Sequence, residues 1–347
     1  MELDRFDYDL PAAAIAQRPA RRRSDARMLV ALDDEAPPRH LTVADLPAVL
    51  EPGDLLVVNE SRVIPARLKL RKATGGAVEL LLLEPAAGGA GCWEALVRPG
   101  RRVTPGTTLF AGGSPAAEVR GPPVGRRGGH GGHDGSQGGD GRRIVRLLDD
   151  ALPESQGQLP LPPYIHEPLD DPDRYQTVFA RRPGSVAAPT AGLHFDAELV
   201  GRCRARGAEL ATVDLAVGQD TFQPITTGRV EDHSMHTERY SVPAPTLEAC
   251  DRARRVVAVG TTTVRALESA AATGELCGRT SLFIHSRFPF RVVDVLLTNF
   301  HLPRSSLLLL VDAFCGERWR TLYELALAEG YRFLSFGDAM LVGRTGQ

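Results

Sequence analysis

The chain has 347 residues, 43% of them hydrophobic, enough to bury a full core and to divide into two domains, which excludes a disordered tail. A formal net charge of -2 removes a global electrostatic case for nucleic acid, but the arginines cluster: Arg18, Arg21, Arg22, Arg23 and Arg27, then Arg98, Arg101 and Arg102, then Arg126, Arg127, Arg142 and Arg143. Such runs are either solvated faces or a local phosphate-binding track.

Met1-Glu2-Leu3-Asp4-Arg5 lacks the basic flank and apolar run of a leader, and the strongest apolar stretch, residues 307–311, is cut short by Asp312. We therefore expect a cytoplasmic protein without a membrane partner. Five cysteines, odd in number and scattered singly, predict a reducing compartment and no disulfide framework.

In chain order, strands are predicted over residues 55–58, 66–70, 78–83, 93–97, 108–110 and 144–148, a spacing that suits a small barrel or sandwich. Residues 121–141 are dominated by Gly, Arg and His; without apolar side chains to offset chain entropy they predict a flexible loop, and their glycines do not form a phosphate cradle. The pattern changes after the proline-rich residues 160–163. A helix from Asp196 to Gly207, a strand over 209–213, a helix over 245–255 and a strand over 256–259 predict an α/β layer. That last strand turns through Thr261, Thr262 and Thr263 into a helix carrying Arg265 and Glu268, with Gly274 near its end. Hydroxyls at a helix N-terminus either seat an anion or simply cap the helix. Two helices, 305–314 and 319–329, precede residues 331–341.

Histidines carry the chemistry. His194 lies in Pro189-Thr190-Ala191-Gly192-Leu193-His194-Phe195, His233 and His236 in His233-Ser234-Met235-His236-Thr237-Glu238, and His301 in Thr298-Asn299-Phe300-His301-Leu302-Pro303. Each motif sets a ring beside hydroxyls, amides or turn formers, as expected of a loop holding a proton carrier at a pocket rim. One or two of them could equally be structural. No Walker loop, serine elbow or dinucleotide fingerprint is present, and His233, His236 and Glu238 match no strong zinc spacing, so no metal is expected.

Further segments extend the pattern: Phe6-Asp7-Tyr8-Asp9-Leu10-Pro11, Asn59-Glu60-Ser61-Arg62-Val63-Ile64-Pro65-Ala66-Arg67, Leu161-Pro162-Pro163-Tyr164-Ile165, Tyr175-Gln176-Thr177-Val178-Phe179-Ala180, and residues 184–195, 259–269, 294–303 and 336–340. With these, the chain resembles the S-adenosylmethionine:tRNA ribosyltransferase-isomerase family of queuosine biosynthesis along nearly its whole length. The resemblance implies an α/β catalytic domain from residues 1–67 and 160–347, with a small β-barrel domain, 68–159, inserted. It implies transfer and isomerisation of the ribosyl group of S-adenosylmethionine, a co-substrate, onto 7-aminomethyl-7-deazaguanine at the tRNA wobble position. Epoxyqueuosine forms, adenine and methionine leave, and no prosthetic group or metal is implied.

That chemistry needs a base near the carbon beside the sulfonium, a donor for departing adenine and an unprotonated amine. The expected catalytic residues are His194, His236, His301 and Glu238. For substrate binding we expect Thr190 and Asn299; Thr261, Thr262, Thr263 and Arg265, which could hold the methionine carboxylate; and Arg62 and Arg67, which could meet phosphate or cofactor. The target base lies in a single-stranded loop, where splaying it out is affordable.

The family's Leu-His-Val-Gly-x-Gly-Thr-Phe motif reads Leu215-Ala216-Val217-Gly218-Gln219-Asp220-Thr221-Phe222 here, and its Tyr-Pro-Gly turn reads His285-Ser286-Arg287. Ala216 cannot transfer a proton, and Asp220 adds a charge where glycine would let backbone approach a ligand. The stretch is expected in the active site. Two alternatives stay open: a paralogue delivering the ribosyl unit to a small-molecule amine, and a noncatalytic RNA-binding relative.

Overall fold

The structure, a computed structural model, describes residues 1–123, 141–218 and 224–346. It divides into two compact units: Met1–Arg62 with Leu161–Pro183 and Ala187–Gln347, and Val63–Pro160 with Gly184–Val186.

Among the described residues, the larger unit is built on a mixed sheet of nine strands. In spatial order they are β15 (Cys277–Thr280), β13 (Glu238–Ser241), β12 (Glu209–Leu215), β3 (Asp54–Asn59), β14 (Arg255–Val259), β16 (Val295–Asn299), β17 (Ala339–Gly343), β1 (Arg27–Ala31) and β2 (Arg39–Thr42). The central run β12, β3, β14 and β16 is parallel. These strands are apolar without interruption because both faces are covered. Leu55, Val57, Val256, Ala258 and Leu296 join one core cluster, and their alternates Leu56, Val58, Val257, Val259, Val295 and Leu297 join the other. The first cluster includes α5 (Thr261–Thr273), α6 (Ser306–Cys315) and α7 (Arg318–Ala328), and the second α1 (Leu46–Val49) and α3 (Ala197–Ala205). Helix α4 (Ala244–Arg252) lies on the same unit.

Local signals explain the boundaries. Asp196 caps α3 by accepting the Leu199 N–H at 2.8 Å, satisfying one of the orphan donors of a helix start. Gly274, at φ 74°, ends α5 in the left-handed conformation that side chains resist. The helix expected over 245–255 stops at Arg252, because Ala253 is extended and Arg255 already belongs to β14. Its guanidinium forms a two-pronged pair with buried Asp54 on the neighbouring strand, at 2.9 and 2.6 Å.

The smaller unit is a closed antiparallel barrel in the order β10 (Arg142–Leu147), β7 (Cys92–Arg98), β6 (Ala77–Pro85), β5 (Arg67–Lys72), β8 (Thr108–Ala111) and β9 (Ser114–Gly121). Alternate residues such as Leu68, Leu70, Leu80, Leu82, Val97, Leu109, Val119 and Val145 fill it. Closure removes the free edge that a sandwich would have to protect. Strand β9 was not predicted from its composition. Its small residues and Pro115 read as a break, yet Ala116, Ala117 and Val119 are buried and Pro115 lies at the strand's start, beside an irregularity in register with β8. Helix α2 (Leu152–Gln156) completes this unit, and two short strands, β4 (Ser61–Val63) and β11 (Arg182–Ser185), lie where the chain passes from one unit to the other.

The predicted flexible loop, apart from residues 121–123 and 141, lies outside the described residues. All five cysteines are free thiols, and burial pushes Cys203 up to about 11 and Cys315 up to about 12, away from thiolate chemistry at neutral pH. Among the described residues no helix is long and apolar enough to cross a membrane.

Candidate active site

The carboxyl ends of parallel β12, β3, β14 and β16 share one edge of the sheet, where open α/β sheets bind ligands. Asn59 ends β3. Its carboxamide donates to Leu215 O at 3.0 Å and Thr262 Oγ1 at 3.2 Å and accepts the Leu215 and Ser61 N–H groups, tying three strand ends together. After β14 the chain turns at Gly260, whose φ of 93° suits glycine alone, and α5 begins at once.

A cleft of about 340 Å³ opens here, lined by Thr190, Thr261, Thr262, Thr298, Asn299 and His301 among others. A second hollow of about 320 Å³ shares Thr190, Asn299, His301 and Leu307 with it and extends to Tyr164 and Ser305. Thr190 donates its hydroxyl to Asn299 Oδ1 at 2.9 Å, and Asn299 Nδ2 donates to Leu334 O at 3.1 Å and Asp338 O at 3.4 Å, so the amide cannot flip. The threonine trio divides. Thr261 and Thr262 line the cleft, whereas Thr263 is fully buried and donates to Val259 O at 2.8 Å.

The histidines differ more than their motifs imply. Thr298 and Asn299 end a strand, His194 ends a 3-10 turn over Thr190–His194, and both His194 and His301 are buried instead of standing at a rim. Each ring nitrogen of His194 faces a carbonyl, Ala191 O at 3.1 Å and Gly337 O at 3.0 Å. Burial nevertheless lowers its pKa from the ordinary value. The ring borders a separate hollow with Arg23, Arg174 and Ser335, away from the cleft. His301 does line the cleft; burial holds it down at about 3, so it is a neutral imidazole. His236 is exposed, and neighbouring His233 is lowered by partial burial and then by the His236 charge.

Glu238, first residue of β13, is buried and pairs with the Arg265 guanidinium while accepting the Gly218 N–H at 2.8 Å. Arg265 also donates to Leu282 O at 3.2 Å, its Nη2 has no hydrogen-bond partner among the described residues, and its side chain borders a third hollow with Met235, Phe283 and Ser306. Among the described residues, Arg265 and the threonines of the cleft line different hollows. Arg62 is exposed at the end of the larger unit and Arg67 begins β5 of the smaller; neither borders a hollow found among the described residues. No cluster of three or more His, Cys, Asp or Glu with metal-binding proximity occurs among the described residues.

In the departing stretch, Val217 lines the cleft and Ala216 is half-buried beside it, while Gln219, Asp220, Thr221 and Phe222 lie outside the described residues. Residues not named as site residues from sequence complete the site: Asn59, Thr298 and Leu307. Reading the apolar run 295–297 as a buried strand would have placed Thr298 at its carboxyl end, the position where such sheets hold ligands.

A polar cleft at the carboxyl edge of a doubly covered mixed sheet, in a chain that also carries a closed six-stranded barrel, defines a two-unit α/β protein with an enzyme-type site. The chain matches the family described as "Queuosine biosynthesis protein" over residues 3–342. It is 48% identical to the S-adenosylmethionine:tRNA ribosyltransferase-isomerase of Rubrobacter xylanophilus, over 99% of this chain and 98% of that protein. To the protein of the same name in Thermus thermophilus it is 50% identical, over 98% of this chain and 99% of the relative. The crystal structure of S-adenosylmethionine tRNA ribosyltransferase from Thermotoga maritima is similar with a TM-score of 0.54 at 37% identity, covering 97% of this chain and 99% of that one. The chain belongs to the queuosine biosynthesis protein family and, matched from end to end by relatives named as enzymes, is an enzyme.

Proposed function

We propose that the chain transfers and isomerises the ribosyl group of S-adenosylmethionine onto 7-aminomethyl-7-deazaguanine at the wobble position of a tRNA anticodon, giving epoxyqueuosine and releasing adenine and methionine. The observation that carries this reading is the cleft itself. It sets the N-terminus of a 13-residue helix, with Thr261 and Thr262, in one hollow with Thr190, Asn299 and His301.

The orphan N–H groups at the start of α5 suit the methionine carboxylate, an anion that such a terminus attracts. Asn299, locked by three hydrogen bonds, orients Thr190 toward the ribosyl unit. His301 is a neutral ring at the cleft, and we assign solvent-exposed His236 the exchange of protons with water. His194, with both nitrogens turned to carbonyls, positions the turn that bears Thr190, and Glu238 with Arg265 braces Gly218 beside the cleft.

Incubating the purified protein with S-adenosylmethionine and following adenine and methionine separately, with and without precursor-bearing tRNA, tests the reading. Acceptor-dependent adenine release is expected. Release with a small amine but not with tRNA would overturn the acceptor, and no release under any condition would overturn the transferase itself.

A further inference from the structure

The Tyr323 hydroxyl accepts the main-chain N–H of His301 at 3.0 Å and lies 3.3 Å from His301 Nδ1. A phenol oxygen that accepts an N–H still has its own proton to place, and a buried hydroxyl left without an acceptor is destabilising. Among the described residues the acceptor in reach is Nδ1. The phenol cannot turn elsewhere, because its ring is packed by Tyr8 at 5.4 Å, Phe300 at 5.2 Å, Trp319 at 5.5 Å and Phe333 at 5.7 Å.

If Nδ1 accepts, the neutral ring carries its proton on Nε2. Nε2 faces Thr298 Oγ1 at 3.3 Å, so Thr298 accepts from it. The Thr298 hydroxyl then has one proton left and, among the described residues, makes no other hydrogen bond. Thr298 lines the cleft.

We propose that Thr298 is a catalytic hydrogen-bond donor to a lone pair on the bound nucleoside, directed one way by Tyr323 through the Nε2–H form of His301, with Tyr323 and His301 as positioning residues. No proton leaves the relay: each O–H or N–H keeps its hydrogen and is polarised by the next. The cleft thus receives a fixed donor, suited to negative charge growing on adenine or ribosyl oxygen as bonds break, and His301 is not the base. This inference rests on the cleft being the S-adenosylmethionine site.

Ring ¹⁵N NMR of histidine-labelled protein, with His301 assigned by its loss in His301→Asn, reads the tautomer without any turnover. A proton on Nε2 at pH 7 is expected, with partial or full migration to Nδ1 in Tyr323→Phe. A proton on Nδ1 or a doubly protonated ring in the native protein overturns the relay. In parallel, Thr298→Ser should keep kcat for adenine release within about threefold, while Thr298→Val, folded and of similar shape, should lose on the order of 10²-fold, the usual effect of removing one such donor. Native-like kcat in Thr298→Val overturns the proposal. A native protein that releases no adenine fails the transferase reading alone, and the tautomer result still decides the relay.

Discussion

His301 and His194 are buried where a charge has to be desolvated, and this couples folding to pH. Both are shifted below the ordinary value of 6.5, His301 to about 3, so as pH falls through 6.5 the unfolded chain takes up protons that the folded chain refuses. For His301, stability present above about pH 6.5 is therefore lost progressively toward pH 3, at up to roughly 1.4 kcal/mol per pH unit, and His194 contributes in the same direction. Urea midpoints measured from pH 8 to pH 4 should fall below 6.5, and His301→Asn should flatten that fall; equal slopes in both proteins would contradict it. A second residue-level consequence concerns Glu238 and Arg265, a buried pair on a strand and a helix. Removing one charge strands the other, so Glu238→Ala should cost about 3–5 kcal/mol in chemical denaturation, whereas Glu238→Ala with Arg265→Met should recover much of it. Additive losses would mean that the pair is not coupled.

Helix α5 is held at both ends by features that also shape the cleft. At its start, Gly260 sits at φ 93° and ψ 151°, a conformation reserved for glycine, although an added Cβ would meet Ala191 Cβ at 3.5 Å and Thr262 Oγ1 at 3.7 Å, both ordinary contacts. The penalty of Gly260→Ala is therefore backbone strain, about 1–3 kcal/mol. Because relief must rotate the first turn of α5, KM for S-adenosylmethionine should rise along with the loss of melting temperature. A change in melting temperature with unaltered KM would detach the helix start from the substrate. Toward the other end, fully buried Glu268 accepts the N–H groups of Arg291, Val292 and Val293 at 2.9, 3.0 and 3.1 Å, fixing the loop that leads into β16. Glu268 is thus a structural clamp rather than part of the anion seat. Sequence pattern identified α5 and β14 because an apolar run and end signals agree there, but it passed over β16, whose three apolar residues after Asp294 run on into Thr298 and Asn299 with no glycine to mark the end.

Over the molecule as a whole, the arginine clusters have different fates. In the first, Arg18 is paired with Glu167, Arg23 donates to Leu193 O and Asp173 O at 3.1 and 2.8 Å, and Arg27 stacks 3.8 Å over the Tyr331 ring. Those charges hold the larger unit together. In the third, Arg142 pairs with Glu94 at 2.9 Å. Arg98, Arg101 and Arg102, at one end of the barrel, are exposed and form no ion pair among the described residues. Among the described residues they can meet a polyanion, as can exposed Arg21 and Arg22. Arg101→Glu with Arg102→Glu should weaken tRNA binding and reduce the slope of log K against log salt by about 2, since each phosphate contact contributes roughly one released counterion. Melting temperature should not change. An unaltered salt slope would remove this end of the barrel from the RNA track.

The sequence by itself determined the family, the barrel and α/β composition, and the segments that supply the cleft, because these follow from local pattern: alternation of apolar residues, helix caps, and ordered motifs such as Thr298-Asn299-Phe300-His301. Only the tertiary structure decided what each polar group does. His194 and His301 look alike as neighbours of glycine, threonine and asparagine, yet one is turned to the carbonyl of Gly337 and the other to the hydroxyl of Tyr323. Those partners come from distant parts of the chain and meet only after the sheet has formed. The tautomer of a ring, the pairing of Glu238 with Arg265 and the division of three adjacent threonines between cleft and core are set by such partners and by burial, and neither is encoded in a window of neighbouring residues.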